Sequence, residues 1–345
     1  MAFLGAHEQL ELVTTLEEHS DRVTSLAVSC PDASRQRLVS ASRDGLLRIW
    51  DLDLEPPNVR GGYHTVKAAP KQSSKVLRGH KDAVSSVALS QDGDHVISAS
   101  WDTTLKYWSL KTGEEIRTFT GHQHQVNSVC CYKHADGNRI VSVGGDRVLK
   151  VWSEGGECLA TLGKPQEAVQ HTDWASMVVI GEFGKKEETH FKAYTSGWDR
   201  QILEWDLQTL RASGNKPMMQ SHSNDHTAPV QCLEVSPDSS VLASGGHDGS
   251  ALLWDLNAGM FLMGFCPGGG TIHDLAFNPI RYWMVIASDR SVTVWDLEDK
   301  KQILTTSPSA SAALANATAL RWSPDGNTLY VGYSNGAIDV FRLTS

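Results

Sequence analysis

The chain of 345 residues is 40% hydrophobic and 21% charged, enough apolar sequence for a sizeable core. No apolar run reaches the roughly 18–20 residues of a membrane-spanning helix, and the N-terminus lacks a basic stretch followed by a long apolar one, so neither a transmembrane segment nor a secretory signal is expected. A net charge of −9 excludes nucleic-acid binding through the field of the whole protein and leaves room only for a local basic face.

Read in chain order, residues 1–9 form a short loose arm and 10–16 (LELVTTL) a strand ahead of the first repeated unit. The first unit carries His19, Ser40, Asp44 and Trp50. Residues 53–75, rich in Pro, Gly and Lys without apolar periodicity, read as a mobile loop. The second unit carries His80, Ser98, Asp102 and Trp108. Within it, 84–90 (VSSVALS) reads as a strand ended by Gln91-Asp92-Gly93, 98–108 as two strands joined by a tight turn at Asp102, and 114–120 as a fourth strand. The third unit repeats His122, Ser142, Asp146 and Trp152. The fourth repeats His171, Thr195, Asp199 and Trp205, with a charged loop at 181–190. The fifth repeats His226, Ser244, Asp248 and Trp254, and Gly268-Gly269-Gly270 then reads as a turn between units. The sixth keeps Asp289 and Trp295 but lacks the Ser/Thr and the upstream His. A Ser/Ala-rich loop at about 305–317 leads to the last unit, where Asn335 and Phe341 stand in the Asp and Trp places.

The acid or Asn precedes its aromatic at one fixed distance in all seven units, and the units recur near the ~40–45-residue period of WD repeats. Each unit makes a four-stranded antiparallel sheet that cannot bury both faces alone, so the sheets pack radially as blades. The expected fold is all-β, a seven-bladed β-propeller of WD repeats occupying 10–345 as a single domain. The last unit supplies three strands, and the N-terminal run is free to add the fourth and close the ring.

The His, Ser/Thr, Asp and Trp of each unit can form one buried hydrogen-bonded chain that stiffens the blade. The same residue types make a hydrolase triad, but the set recurs in five units and no Gly-x-Ser-x-Gly elbow accompanies it, so no catalytic residue is expected. His122-x-His124 and His222-x3-His226 lack the Cys or carboxylate partners of a metal site. Gly268-Gly269-Gly270 lacks the Lys-Ser/Thr ending of a phosphate loop, so no cofactor is expected either. None of the six cysteines forms a Cys-x-x-Cys pair. Cys30, Cys130, Cys232 and Cys266 lie in or beside apolar runs, Cys131 follows Cys130 directly, and Cys158 falls in a predicted strand. Buried free thiols in a reducing cytosolic compartment are expected.

Beyond the generic repeat stand SASRD (40–44), SGWD (196–199), GGHDGSALLWDLNAG (245–259), FNPIRYW (277–283), VTVWDLE (292–298) and SPDGNTLYVGY (323–333), with His171-Thr172-Asp173-Trp174 opening the fourth unit. In these pieces, from about residue 10 to 343, the chain resembles the receptor for activated C kinase, a WD-repeat scaffold of the small ribosomal subunit. The resemblance implies a non-catalytic, cytoplasmic scaffold on the head of that subunit. It would contact rRNA and ribosomal proteins and recruit protein kinases and translation factors, without membrane or DNA. It also implies an rRNA-facing role for Arg43, although Gly45 stands where the family has a lysine. Arg78, in LRGH (77–80), matches another basic position on the same side, and Lys81 lies just beyond it.

The residues before the turn acids, Arg43, Trp101, Gly145, Trp198, His247 and Ser288, are expected along one rim. Trp101 and Trp198 are candidate partner-binding residues, of the type enriched in binding hot spots, and capping of the neighbouring blade is the other role open to them. Segment 291–298 resembles the stretch linked in the family to kinase binding, but Val292, Val294 and Trp295 should lie in a buried strand. Arg48 and Lys106 are expected as outer-surface charges. A ribosome-independent WD adaptor, in signalling or ubiquitin ligation, is the alternative that Gly45 and the acidic balance keep open.

Overall fold

The computed structural model describes residues 9–32, 35–55, 65–68, 72–184, 189–210, 216–217, 226–289, 291–306 and 308–344. Among these the chain forms strands and no helix. After β1 (Gln9–Glu17), blade 1 is built from β2 (Val23–Asp32), β3 (Arg35–Ser42) and β4 (Leu47–Glu55), with β5 (Thr65–Ala68) and β6 (Lys75–Leu77) both pairing on β4. Blade 2 takes β7 (Val84–Leu89), β8 (His95–Ser100), β9 (Leu105–Ser109) and β10 (Glu115–Phe119). Blade 3 takes β11 (Val126–His134), β12 (Gly137–Gly144), β13 (Leu149–Ser153) and β14 (Cys158–Leu162). Blade 4 has β15 (Ala175–Phe183), β16 (His190–Gly197), β17 (Ile202–Asp206) and a two-residue β18 (Lys216–Pro217). Blade 5 has β19 (Val230–Val235), β20 (Val241–Gly246), β21 (Ala251–Asp255) and β22 (Met260–Phe265). Blade 6 has β23 (Ile272–Phe277), β24 (Trp283–Ser288), β25 (Val292–Asp296) and β26 (Lys301–Thr305). Blade 7 has β27 (Ala317–Trp322), β28 (Thr328–Tyr333) and β29 (Ala337–Thr344). Every sheet is an antiparallel meander, and β1 completes the seventh by pairing β29 from Gln9 opposite Thr344 to Glu17 opposite Ala337. The ring is closed by joining the two ends of the chain in one sheet, which removes the open edge that β27–β29 would otherwise present.

The core lies between blades. Trp50, Trp108, Trp152 and Trp205 are at most 1% exposed, and Phe341 takes the same place in blade 7. Trp205 of blade 4, for example, packs with Val141, Leu149 and Val151 of blade 3. Trp50 of blade 1 packs with Tyr330 and Val340 of blade 7. A buried indole of this size excludes water from a whole inter-blade seam.

A second set of contacts ties the innermost strands together around a central channel. Thr24 and Ser85 donate to the carbonyls of Val84 and Val126, and Asn127 to that of Ala175. Ser176 and Thr318 donate likewise to Val230 and Val23, each bond reaching the next blade. One residue further along, Ser25, Ser86 and Ser128 accept from the N–H groups of Val87, Val129 and Val178, and Asp274 accepts from Leu320 at 2.6 Å. These bonds satisfy backbone groups on the inward edges of the sheets, which have no strand beside them.

Several loop expectations are corrected. Of 53–75, the stretches at Thr65–Ala68 and Lys75–Leu77 are strands on β4, because a backbone edge there accepts any extended segment. Residues 56–64 and 69–71 lie outside the described residues, as do 1–8 of the expected arm. The loop read at 181–190 is shorter, since β15 runs to Phe183 and β16 begins at His190 with those two residues paired. The Ser/Ala-rich stretch is not fully solvated: Ala312 is buried in the seam between blades 6 and 7, and the N–H of Ser309 donates to buried Asp339. Arg48 and Lys106 are not outer-surface charges, for Arg48 pairs with Glu18 and Lys106, only 9% exposed, with Glu115. Both cover the blade with their aliphatic stems. Cys232 is buried and Cys130 and Cys131 are partly so, but Cys158 and Cys266 are exposed, because outer strands and inter-blade turns bury one face at most.

Candidate functional site: the mouth of the central channel

In blades 1 to 5 the repeated residues make one hydrogen-bonded chain. The indole N–H of Trp50, Trp108, Trp152, Trp205 or Trp254 lies 2.8–3.0 Å from the hydroxyl of Ser40, Ser98, Ser142, Thr195 or Ser244. Each hydroxyl lies 2.7–2.8 Å from Nε2 of His19, His80, His122, His171 or His226. Nδ1 of each histidine is then 2.8–3.0 Å from Asp44, Asp102, Asp146, Asp199 or Asp248. An indole can only donate, so the hydroxyl accepts from it and donates to Nε2, which leaves Nδ1–H to donate to the carboxylate. That assignment gives each bond of the chain one donor and one acceptor. Burial alone would raise the five carboxyls, but the histidine bonds and backbone N–H donors outweigh it. All five therefore lie below the usual carboxylate range, Asp248 at about 2.

The arrangement has the connectivity of a hydrolase triad and none of its access. The five hydroxyls are 0% exposed and already hold an indole N–H, so no substrate carbonyl can reach them. Their role is to fix the turn that carries the preceding residue. Asp44 also accepts from the N–H of Ser20 and of Leu46, and Asp102 from those of Lys81 and Thr104.

Those turns open on one mouth of the channel, a cavity of about 400 Å³. The rim has two rows. Of the expected row, Arg43, Trp101, Gly145, Trp198 and His247 stand there, whereas Ser288 is buried at 1% exposed. The second, not singled out from the sequence, holds Arg22, Ala83, Gln125, Trp174 and Pro229, each just ahead of an innermost strand. A backbone bond joins the two rows in every one of these blades, from the N–H of Arg43 to the carbonyl of Arg22 and from Trp198 to Trp174, for instance. The signal was there to find: Arg22 and Trp174 hold the same place, directly before Val23 and Ala175.

Chemically the rim divides into sectors. In blades 1 and 2 the Arg43 guanidinium lies over the Trp101 ring, 5.1 Å from its centroid, and Arg22 meets Nδ1 of His273 at 3.3 Å. Burial, and then the charge of Arg43, pull Arg22 below its ordinary value. In blades 4 and 5, Trp174, Trp198 and His247 form a chain of tilted rings with centroids 5.7 and 5.9 Å apart. Trp101, Trp174 and Trp198 remain 41%, 45% and 44% exposed, while Trp101 also meets Arg43 of blade 1 and Trp198 meets His247 of blade 5. Among the described residues no group of three or more His, Cys, Asp or Glu is placed to hold a metal ion, and His222 lies outside them.

The WD domain, G-beta repeat family matches residues 10–51, 71–109, 113–153, 219–255 and 262–296. The chain is 36% identical over 343 residues to small ribosomal subunit protein RACK1 of Caenorhabditis elegans, with 98% of each chain covered. It is 35% identical over 348 residues to small ribosomal subunit protein RACK1y of Oryza sativa subsp. japonica, covering 99% of this chain and 98% of the relative. MST50-interacting protein 11 of Pyricularia oryzae is 36% identical over 343 residues, covering 98% and 99%. The chain belongs to the RACK1 family. The resemblance drawn from the sequence motifs to the receptor for activated C kinase is thus shown over nearly the whole chain.

Against that family, the basic candidates fall on the sector of blades 1 and 2. Lys81 is exposed beside the Asp102 turn, and Arg78, also exposed, lies three residues before it on the same connection. Gly45 has φ of +81°, and the matching turn residues Thr103, Arg147 and Arg200 share that left-handed backbone at +71°, +67° and +68°. The position therefore accepts a side chain only under strain, which a glycine there relieves. The segment resembling the kinase-linked stretch is largely inaccessible, with Val292 and Val294 buried in β25.

Proposed function

We propose that this protein is a non-catalytic, cytoplasmic scaffold that docks on the head of the small ribosomal subunit through blades 1 and 2. Arg43 and Arg78 would hold rRNA phosphates and Lys81 would add a point charge, while ribosomal proteins meet the surrounding rim. The observation that carries this reading is the end-to-end similarity of the chain to relatives named as small ribosomal subunit proteins, with Arg43, Arg78 and Lys81 all exposed. The faces left free would recruit protein kinases and translation factors. In this reading 10–345 acts as one unit and 1–9 as an arm.

Sedimentation of a lysate through a sucrose gradient at moderate salt tests it. Wild type is expected with small subunits, and Arg43→Asp in the light fractions with an unchanged melting temperature. A wild type that stays light at low salt, where phosphate contacts are strongest, would overturn the ribosomal reading. A ribosome-independent adaptor would then replace it. Gly45 favours that second reading by removing a family charge, and one relative is named for interaction with another protein.

A further inference from the structure

The rim carries side chains that the ribosomal reading leaves unused. Arg22 and Arg43 in blade 1 stand on the cationic side of the mouth, and Trp174, Trp198 and His247 of blades 4 and 5 make up its aromatic side. Blade 3, between them in the ring, contributes only Gln125 and a glycine to the two rows, leaving a low path from one sector to the other. We propose that this mouth binds an extended acidic peptide, a carboxylate lying on Arg22 and Arg43 and a bulky aliphatic side chain in the notch formed by Trp174 and Trp198.

Two observations select a peptide over a nucleic acid. First, the Trp174 and Trp198 planes are inclined by 55° and those of Trp198 and His247 by 56°. Such V-shaped notches seat a branched side chain, whereas a flat base needs a face-parallel platform. Second, the cavity beneath the rim, about 400 Å³, is of ligand size and lined largely by hydroxyl and amide side chains, suited to the alternating polar and apolar groups of a peptide. Exposed tryptophan beside arginine is also the composition of binding hot spots. The site shares Arg43 with the ribosomal reading, but that reading uses neither Arg22 nor the tryptophans, so variants at Arg22 and Trp198 test the two apart.

The test titrates the purified full chain into a fluorescein-labelled octapeptide of alternating Glu and Leu, its Lys-for-Glu counterpart, and an eight-nucleotide uridine RNA, read by anisotropy at low salt. The expected result is saturable binding of the acidic peptide, with at least tenfold weaker binding of the other two. Trp198→Ala and Arg22→Gln should each weaken the acidic peptide about tenfold, and Ile116→Ala, exposed on β10 away from the mouth, should leave it unchanged. Trp174→Ala and melting curves guard against a variant that has merely unfolded. Preference for the RNA, absence of peptide binding, or peptide binding indifferent to folded rim variants would each overturn the proposal.

Discussion

In blades 1 to 5 the turn aspartate takes its histidine from the connection that precedes the innermost strand, and the chain runs on through a hydroxyl to a buried indole. In blade 6, Asp289 instead receives Nε2 of His273, a residue of the innermost strand itself, at 2.6 Å, and the side-chain amide of Asn316 from blade 7. The indole of Trp295, partly exposed, donates to Thr293 of its own strand. In blade 7, Asn335 donates to the carbonyl of Ser311 and Phe341 fills the seam with no polar handle. Phe341 is as buried as the indoles of blades 1 to 4, yet blades 1 to 5 are stiffened from within while the turns of blades 6 and 7 lean on residues outside the repeat. The histidine bond therefore serves the turn more than the seam, and the seam needs only a large apolar side chain.

The sharpest way to break this comparison is to remove the acceptor in each region. Asp199→Ala leaves the buried Nδ1–H of His171 and the N–H groups of Thr172 and Gln201 without their acceptor, and a loss of about 3 kcal/mol in urea unfolding is expected. Asn335→Ala, on the exposed turn of blade 7, should cost about 1 kcal/mol or less. Equal losses would mean that the internal chain does not distinguish the blades.

The pH profile sharpens the comparison next, because the regions titrate in opposite senses. The five network aspartates lie below their unfolded value, so their stabilisation is present above pH ~4 and is lost as the pH falls toward about 2. Asp274 of blade 6 occupies the place that Ser25, Ser86 and Ser128 hold in blades 1 to 3. Burial pushes it up to about 7, against the pull of the Leu320 N–H and with the added push of Glu234. Its contribution is present below pH ~4 and is lost as the pH rises through about 7. Asp274→Ser is therefore expected to raise the melting temperature at pH 8 and to do little at pH 5. An equal change at both pH values would show that the carboxyl does not titrate in this range.

The smallest effect belongs to the turn. Gly45→Lys should cost about 1 kcal/mol of stability through its left-handed backbone, while shifting more protein into the small-subunit fractions of the gradient. Stability loss without a shift would separate blade 1 from any ribosomal contact.

The repeated His, Ser/Thr, Asp and Trp made the blades legible because each group answers a local demand: a turn to cap, a hydroxyl to satisfy, a seam to fill. The closing strand was legible for the same reason, since a three-stranded last unit leaves an edge open. The belt of Thr24, Ser85, Asn127 and Ser176 was not, because small polar residues on a strand read as solvent-facing until the neighbouring blade supplies a carbonyl. Nor was His273, whose partner Asp289 is reached from a strand where no other blade places a histidine.

By itself, then, the sequence determined the number of blades and the manner of closure, because these rest on a pattern repeated in each unit, and the family, through the segments that stand apart from the generic repeat. The mouth of the channel was decided only by the tertiary structure. Arg43, Trp101, Trp198 and His247 hold the place before each turn acid and Arg22 and Trp174 the place before an innermost strand, but they come from four blades, and radial closure alone brings them around one opening.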